Sequence, residues 1–197
     1  MAKARKPKHV AIAGNIGAGK TTLTELLSKH YRWIPQFEDV DQNPYLFDFY
    51  EDMPRWSFNL QIYFLNSRLN QLLEISKGTE TVIQDRTIYE DAYIFAPNLH
   101  AMGLMTSRDY DNYFALFKLM ESLIKAPDLI IYLHNSINNL QQNIIKRGRK
   151  FEQDIGDEYL HDIQSLYLGY FKTLNTQKIV CVDVSGVDFV HSQEHYL

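Results

Sequence analysis

The chain has 197 residues, 45% of them hydrophobic, with 20 basic against 24 acidic side chains and a formal net charge of −4. That length suits one domain able to bury roughly 70% of the surface its unfolded form exposes, so no disulfide or metal staple is required. The mild acidity argues against a nucleic-acid surface, and no apolar run approaches a membrane span or forms a secretory h-region behind the basic N-terminus, so a cytoplasmic protein with no nucleic-acid or membrane partner is expected.

Residues 1–8, with Lys3, Arg5, Lys6 and Lys8, read as a short, flexible basic tail, and 9–197 as a single domain. His9 to Ala13 has strand character. The residues that follow, Gly14, Asn15, Ile16, Gly17, Ala18, Gly19, Lys20 and Thr21, match the phosphate-loop pattern G-x-x-x-x-G-K-[ST]. From Thr21 and Thr22 to Lys29, apolar residues recur at helical spacing, so the loop enters a helix N-terminus. There, unpaired backbone N–H groups and the positive end of the helix dipole suit polyphosphate, and the glycines permit the left-handed turns that aim those groups inward. Lys20 would reach the β- and γ-phosphates of ATP, and Thr21 would offer its hydroxyl to Mg²⁺.

Trp33 to Phe37 reads as a second strand, which places Glu38 at the edge where the phosphate loop opens. A carboxylate there is a candidate general base toward an attacking hydroxyl, although positioning outweighs proton removal in phosphoryl transfer. Asp39 is the alternative, and spacing does not separate the two. Residues 39–54, rich in Asp, Pro and aromatics, read as a loop or short helices over the active site. Trp56 to Ile75 is a long helical pattern carrying Gln61 and Arg68, seven residues and hence two turns apart on one face.

Thr81 to Gln84 is an apolar strand that delivers Asp85 and Arg86 to the same edge. Asp85 could hold Mg²⁺, directly or through water, and Arg86 could neutralise transferring phosphoryl oxygens. A helical pattern at Arg108 to Lys125, a strand at Asp128 to His134 and a helix at Ile137 to Arg147 follow. The last ends in Lys146-Arg147-Gly148-Arg149, where basic residues either complement the helix dipole or form a lid hinged at Gly148, with Arg147 and Arg149 closing over phosphates. Lys178 to Val184 is the final strand and carries the single cysteine, Cys181, expected to be buried and unreactive. His191 to Leu197 lies where a further helix could begin. Strands alternating with helices predict an α/β fold: a five-stranded parallel sheet flanked by helices, with ligands beyond the strand C-terminal ends.

Taken with Tyr50-Glu-Asp-Met-Pro-Arg-Trp-Ser-Phe-Asn-Leu-Gln61, Asp85-Arg-Thr-Ile-Tyr-Glu-Asp91, and Arg147-Gly-Arg-Lys-Phe-Glu152 followed by Tyr159-Leu160, the phosphate loop makes nearly the whole chain resemble the deoxyribonucleoside kinases. The likeness is to their bacterial deoxyadenosine/deoxyguanosine group. It implies a P-loop kinase with a short arginine lid that moves the γ-phosphoryl of ATP, with Mg²⁺, to the 5′-hydroxyl of a deoxyribonucleoside in nucleotide salvage, deoxyadenosine foremost and deoxyguanosine or deoxycytidine as alternatives. Lys20, Glu38 and Arg86 are then the catalytic set, with Glu38 at the 5′-hydroxyl. Tyr50 and Glu152 hold the sugar 3′-hydroxyl, Gln61 reads the base, Phe95 stacks on it, and Arg68 with Asp91 argues against thymidine. Thr21 and Asp85 serve the metal.

The resemblance also implies a homodimer through helices, with the apolar stretches 60–73 and 113–123 as candidate surfaces. Asp85 stands where animal relatives have Glu, and Asn143 where they have a further lid arginine. A nucleoside monophosphate kinase would need extra cations for its acceptor phosphate, whereas Glu38, Tyr50, Gln61 and Glu152 are neutral or acidic. A P-loop switch is disfavoured because no Asn-Lys-x-Asp guanine-reading motif is present.

Overall fold

The computed structural model describes residues 8–38, 40 and 42–187. Its centre is a parallel sheet of five strands in the order β2-β3-β1-β4-β5. They are β1 (His9–Gly14), β2 (Ile34–Gln36), β3 (Val82–Asp85), β4 (Leu129–His134) and β5 (Lys178–Asp183). Every residue of β1 is buried, as expected of a parallel strand covered on both faces. Val10 and Ile12 face one core, which holds Ile83, Leu140, Ile144 and Leu160. Ala11 and Ala13 face the other, with Ile130, Ile163 and Tyr167.

The helices are α1 (Lys20–Tyr31), α2 (Leu46–Glu51), α3 (Met53–Lys77), α4 (Ile88–Glu90), α5 (Ala96–Ala101), α6 (Ser107–Glu121), α7 (Ile137–Arg147) and α8 (Asp157–Thr173). A π-helical turn, Asp91–Phe95, joins α4 to α5, and a 3-10 turn, Lys150–Glu152, follows α7. The strands differ from the apolar runs by one residue at some ends, β1 and β3 reaching one residue further and β2, β4 and β5 falling one short, and α7 has the expected bounds. The long helix starts three residues before Trp56 because Asp52 caps it, accepting from the N–H of Arg55 at 3.1 Å, and Pro54 preorganises its first turn.

Several expectations change. The segments 88–101 and Asp157–Thr173 are helical, although neither was predicted so. Residues 39–54 contain α2, as a short helix over the cleft; Asp39 itself lies outside the described residues. Lys8, expected in a tail, is tied to the fold, its N–H donating to Asp128 at 2.9 Å; residues 1–7 and the segment 191–197 lie outside the described residues. Cys181 is exposed, not buried, because β5 is the outermost strand and its apolar run is not a covered one. Within the two candidate dimer stretches, Leu60, Leu65, Leu72, Tyr113 and Phe117 belong to the core, while Leu73, Leu116, Leu119 and Leu123 are exposed. Among the described residues no helix is long and apolar enough to cross a membrane.

Candidate active site

Register puts the strand ends together: Ile12 lies beside Asp85 and Gly14 beside Leu133. A cleft of about 910 Å³ opens over this edge, lined by Ile16 to Thr22, Glu38, Tyr50, Gln61, Asp85, Arg86, Asp91, Phe95, Arg147, Arg149 and Glu152. Gly14 and Asn15 lie behind that wall, as does Arg68.

The phosphate loop is seated by α7. Gly17 has φ +80°, and a Cβ there would stand 2.6 Å from the Leu140 carbonyl oxygen, so only glycine fits this turn. Asn143 Nδ2 donates to the Gly17 carbonyl at 2.8 Å, a bond from α7 that holds the loop. Lys20 Nζ donates to the Asn15 carbonyl at 2.9 Å. Burial, then Arg86, pulls the Lys20 ammonium down to about 8 against the opposing pull of Asp85 and Glu38.

Thr21 Oγ1 donates to Asp85 Oδ2 at 2.6 Å, and Asp85 Oδ1 is buried without a partner. One hydroxyl and one carboxylate with an unused oxygen fit Mg²⁺, which takes few protein ligands and keeps water and substrate phosphates for the rest.

Across the cleft floor from the loop four charges interlock. Arg68, 2% exposed, pairs through Nε with Asp91, donates from Nη1 to the Arg86 carbonyl at 3.1 Å, and donates from Nη2 to Glu38 Oε1 at 2.8 Å. Arg86 Nη1 reaches the same Oε1 at 3.2 Å. Burial would raise the Glu38 carboxyl, but Arg86 and Arg68, with Lys20 and Arg149, hold it down at about 2. Burial lifts Asp91 to about 6 despite Arg68 and Arg86.

Arg86 has φ +64°, a left-handed conformation uncommon for a non-glycine residue, and its guanidinium lies 4.2 Å over the Phe95 ring. Backbone strain at a strand end is kept where the side chain is needed. Gln61 Oε1 is buried with no partner beside the cleft. An orphaned amide oxygen in a cavity wall is a ready acceptor for a ligand donor.

Tyr50 packs on Phe151, ring centroids 5.1 Å apart, and burial pushes its hydroxyl well up. Glu152 is buried and holds both lid arginines, paired with Arg147 and 3.4 Å from Arg149 Nη1.

The structure therefore brings all but three of the predicted site residues to one cavity. Arg68 acts behind the wall, through Asp91 and Glu38, instead of lining it beside Gln61. Sequence reasoning did not place Phe64, Asn135 and Asn139 in the lining, and it named Tyr159 only as part of the family's motif; no motif marks the first three, whose places depend on how α3 and the start of α7 pack.

A phosphate loop whose lysine and threonine open onto a cleft shared with a carboxylate between two arginines, on a five-stranded parallel sheet, defines a P-loop kinase. The family described as deoxynucleoside kinase matches residues 10–196, and the chain belongs to that family. It is 38% identical to the deoxyadenosine kinase of Dictyostelium discoideum over 98% of this chain and 78% of that protein. It is 36% identical to the deoxyadenosine/deoxycytidine kinase of Bacillus subtilis (strain 168) over 95% of this chain and 88% of that one. Among solved structures, the deoxyadenosine kinase from M. mycoides with dCMP and dCDP superposes with a TM-score of 0.81 at 32% identity, covering 89% of this chain and 90% of that one.

Proposed function

We propose that this deoxynucleoside kinase transfers the γ-phosphoryl group of ATP to the 5′-hydroxyl of a deoxyribonucleoside, deoxyadenosine foremost, with deoxyguanosine or deoxycytidine as alternatives. The observation that carries the reading is the orphaned Gln61 oxygen in the cleft whose lining also includes the phosphate loop and Asp91, the partner of Arg68 behind the wall. An adenine or cytosine edge presents a donor beside an acceptor, which one rotated amide can match. The names carried by the relatives support the same class of acceptor.

Lys20 and the loop amides would bind the donor phosphates, and Thr21 and Asp85 would hold Mg²⁺, which would supply positive charge against the charge that develops on the phosphates. Glu38, kept ionised and with both guanidinium contacts on Oε1, would orient the 5′-hydroxyl through its other oxygen more than strip its proton. Arg86, Arg147 and Arg149 would meet the transferring oxygens, while Tyr50 and Glu152 take the sugar and Phe95 the base. The exposed Leu116, Leu119 and Leu123 on and just after α6 suit a homodimer contact, and the reading is of a cytoplasmic enzyme.

The test is an ATP-coupled assay against dA, dG, dC and dT, each alone, with adenosine and dAMP as controls. Purine deoxynucleosides leading, with dT and dAMP inert, supports the pocket assignment; dAMP leading would make the acceptor a phosphate and overturn it.

A further inference from the structure

Glu90 ends the short helix α4 that follows Arg86, is 2% exposed, and has no part in the cleft wall. Its Oε1 accepts the Thr87 N–H at 2.9 Å, closing a capping box. Its Oε2 stands 2.5 Å from the hydroxyl of Tyr167 on α8, and that hydroxyl stands 2.8 Å from the carbonyl oxygen of Gly14.

A hydrogen count decides what Glu90 is. The Tyr167 hydroxyl owns one hydrogen, and the Gly14 carbonyl can only accept. If Glu90 were ionised it would also only accept, and one of these two buried oxygen pairs would face each other with no hydrogen between them. Both contacts are satisfied together only when Glu90 Oε2 carries the proton and donates to Tyr167, which donates to Gly14. Burial supports this by favouring the neutral carboxyl, against Arg86, the Tyr167 hydroxyl and Lys20, which pull the other way. Arg68, Tyr132 and Tyr170 are the other charged or titratable groups close enough to feel it.

The chain ends at a peptide that has little other freedom. Gly14 has φ +153°, and a Cβ on it would stand 2.9 Å from the Leu133 carbonyl oxygen. Its carbonyl and the Asn15 N–H share one peptide plane. Asn15 is held from the same helix, its Nδ2 donating to the Leu160 carbonyl at 2.8 Å, and its own carbonyl receives Lys20.

The geometry points to Glu90 as a positioning residue: a neutral carboxylic acid that acts as a hydrogen-bond donor and, through Tyr167, fixes the peptide that opens the phosphate loop. It rests on the loop binding ATP and not on which nucleoside is the acceptor.

The experiment uses the full chain and measures ATP affinity by calorimetry, so that a wrong acceptor would leave it intact. Glu90→Gln keeps one donor and one acceptor and is expected to bind ATP within about twofold of the parent. Tyr167→Phe removes the relay and is expected to weaken ATP by about tenfold, the loss of one well-made hydrogen bond. Infrared difference spectra at neutral pH should show a protonated-carboxyl stretch in the parent that Glu90→Gln lacks. The parent should also lose ATP affinity at alkaline pH more steeply than Glu90→Gln. A Glu90→Gln enzyme about tenfold weaker for ATP, with no acid band to lose, would make Glu90 an ionised counter-charge for Arg86 and Lys20 and overturn the proposal; so would a Tyr167→Phe enzyme with unchanged ATP affinity.

Discussion

Arg68 donates to Glu38 at 2.8 Å from a position with 2% exposure, although it does not itself line the cleft. Because the same guanidinium pairs with Asp91, the two buried acids of the cleft, Asp91 and Glu38, share one cation. Arg68→Met would leave Asp91 without its guanidinium partner in the interior and Glu38 with Arg86 alone, costing about 3–5 kcal/mol of stability. Arg68→Lys keeps the charge but not the fork. The expected result is a folded enzyme with kcat/KM for deoxyadenosine down by roughly a hundredfold and an acid limb moved to higher pH, since Glu38 loses part of what depresses it. An unchanged acid limb would disconnect Arg68 from Glu38.

Glu38 is expected to matter for turnover and little for the donor. Glu38→Gln should cut kcat by roughly 10²–10⁴ while ATP affinity, read by calorimetry, stays within about threefold. Retained turnover would move the role to Asp39.

Thr21 and Asp85 form one bond and are expected to share one ion. Asp85→Asn should raise the Mg²⁺ concentration needed for half-maximal activity by about tenfold, because an ionised ligand becomes a neutral one. A magnesium titration at saturating ATP checks this, and an unmoved midpoint would leave Asp85 out of the metal site.

His9 carries a pH dependence of its own. Burial lowers it from 6.5 to about 4. As the neutral ring it donates to Gln84 Oε1 at 2.9 Å, while Gln84 donates to Gln71 and Gln71 to the Phe37 carbonyl, each at 2.8 Å. The folded state thus binds fewer protons at this site, so its stability contribution is full above about 6.5 and is lost as pH falls toward 4. Asp91, raised to about 6, acts in the opposite sense, its contribution full below its unfolded value and lost as pH rises through about 6. Comparison with His9→Gln separates the two: between about pH 7.5 and about pH 5, the parent should lose about 2 kcal/mol more in urea unfolding than the variant.

The sheet was legible because parallel strands buried on both faces write themselves as apolar runs, and the phosphate loop because its glycines and lysine leave no freedom of spacing. Glu38, Asp85 and Arg86 followed from lying just past strand ends. The same rule misled at Cys181, since an apolar run does not say whether its strand is central or outermost. Helix α8 carried a readable signal in Leu160, Ile163, Tyr167 and Tyr170, spaced by three and four. The π turn at Asp91–Phe95 had none, and it is part of the segment that aims Asp91 and Phe95 into the cleft. Arg68 was legible as a partner of Asp91, but its second bond, to Glu38, depends on the three-dimensional meeting of α3 with the end of β2.

The arginines Arg147 and Arg149 rest on the carboxylate of Glu152. A lid built this way does not wait in water with bare charge. On the proposed reading, meeting phosphate would exchange one anion for another, so closure would be driven by the difference between two pairings and not by the full strength of either. Reopening meets a vacated carboxylate ready to receive the arginines again. Such a balance suits a catalyst that must let go of two phosphorylated products on every cycle, where a stronger grip would slow release.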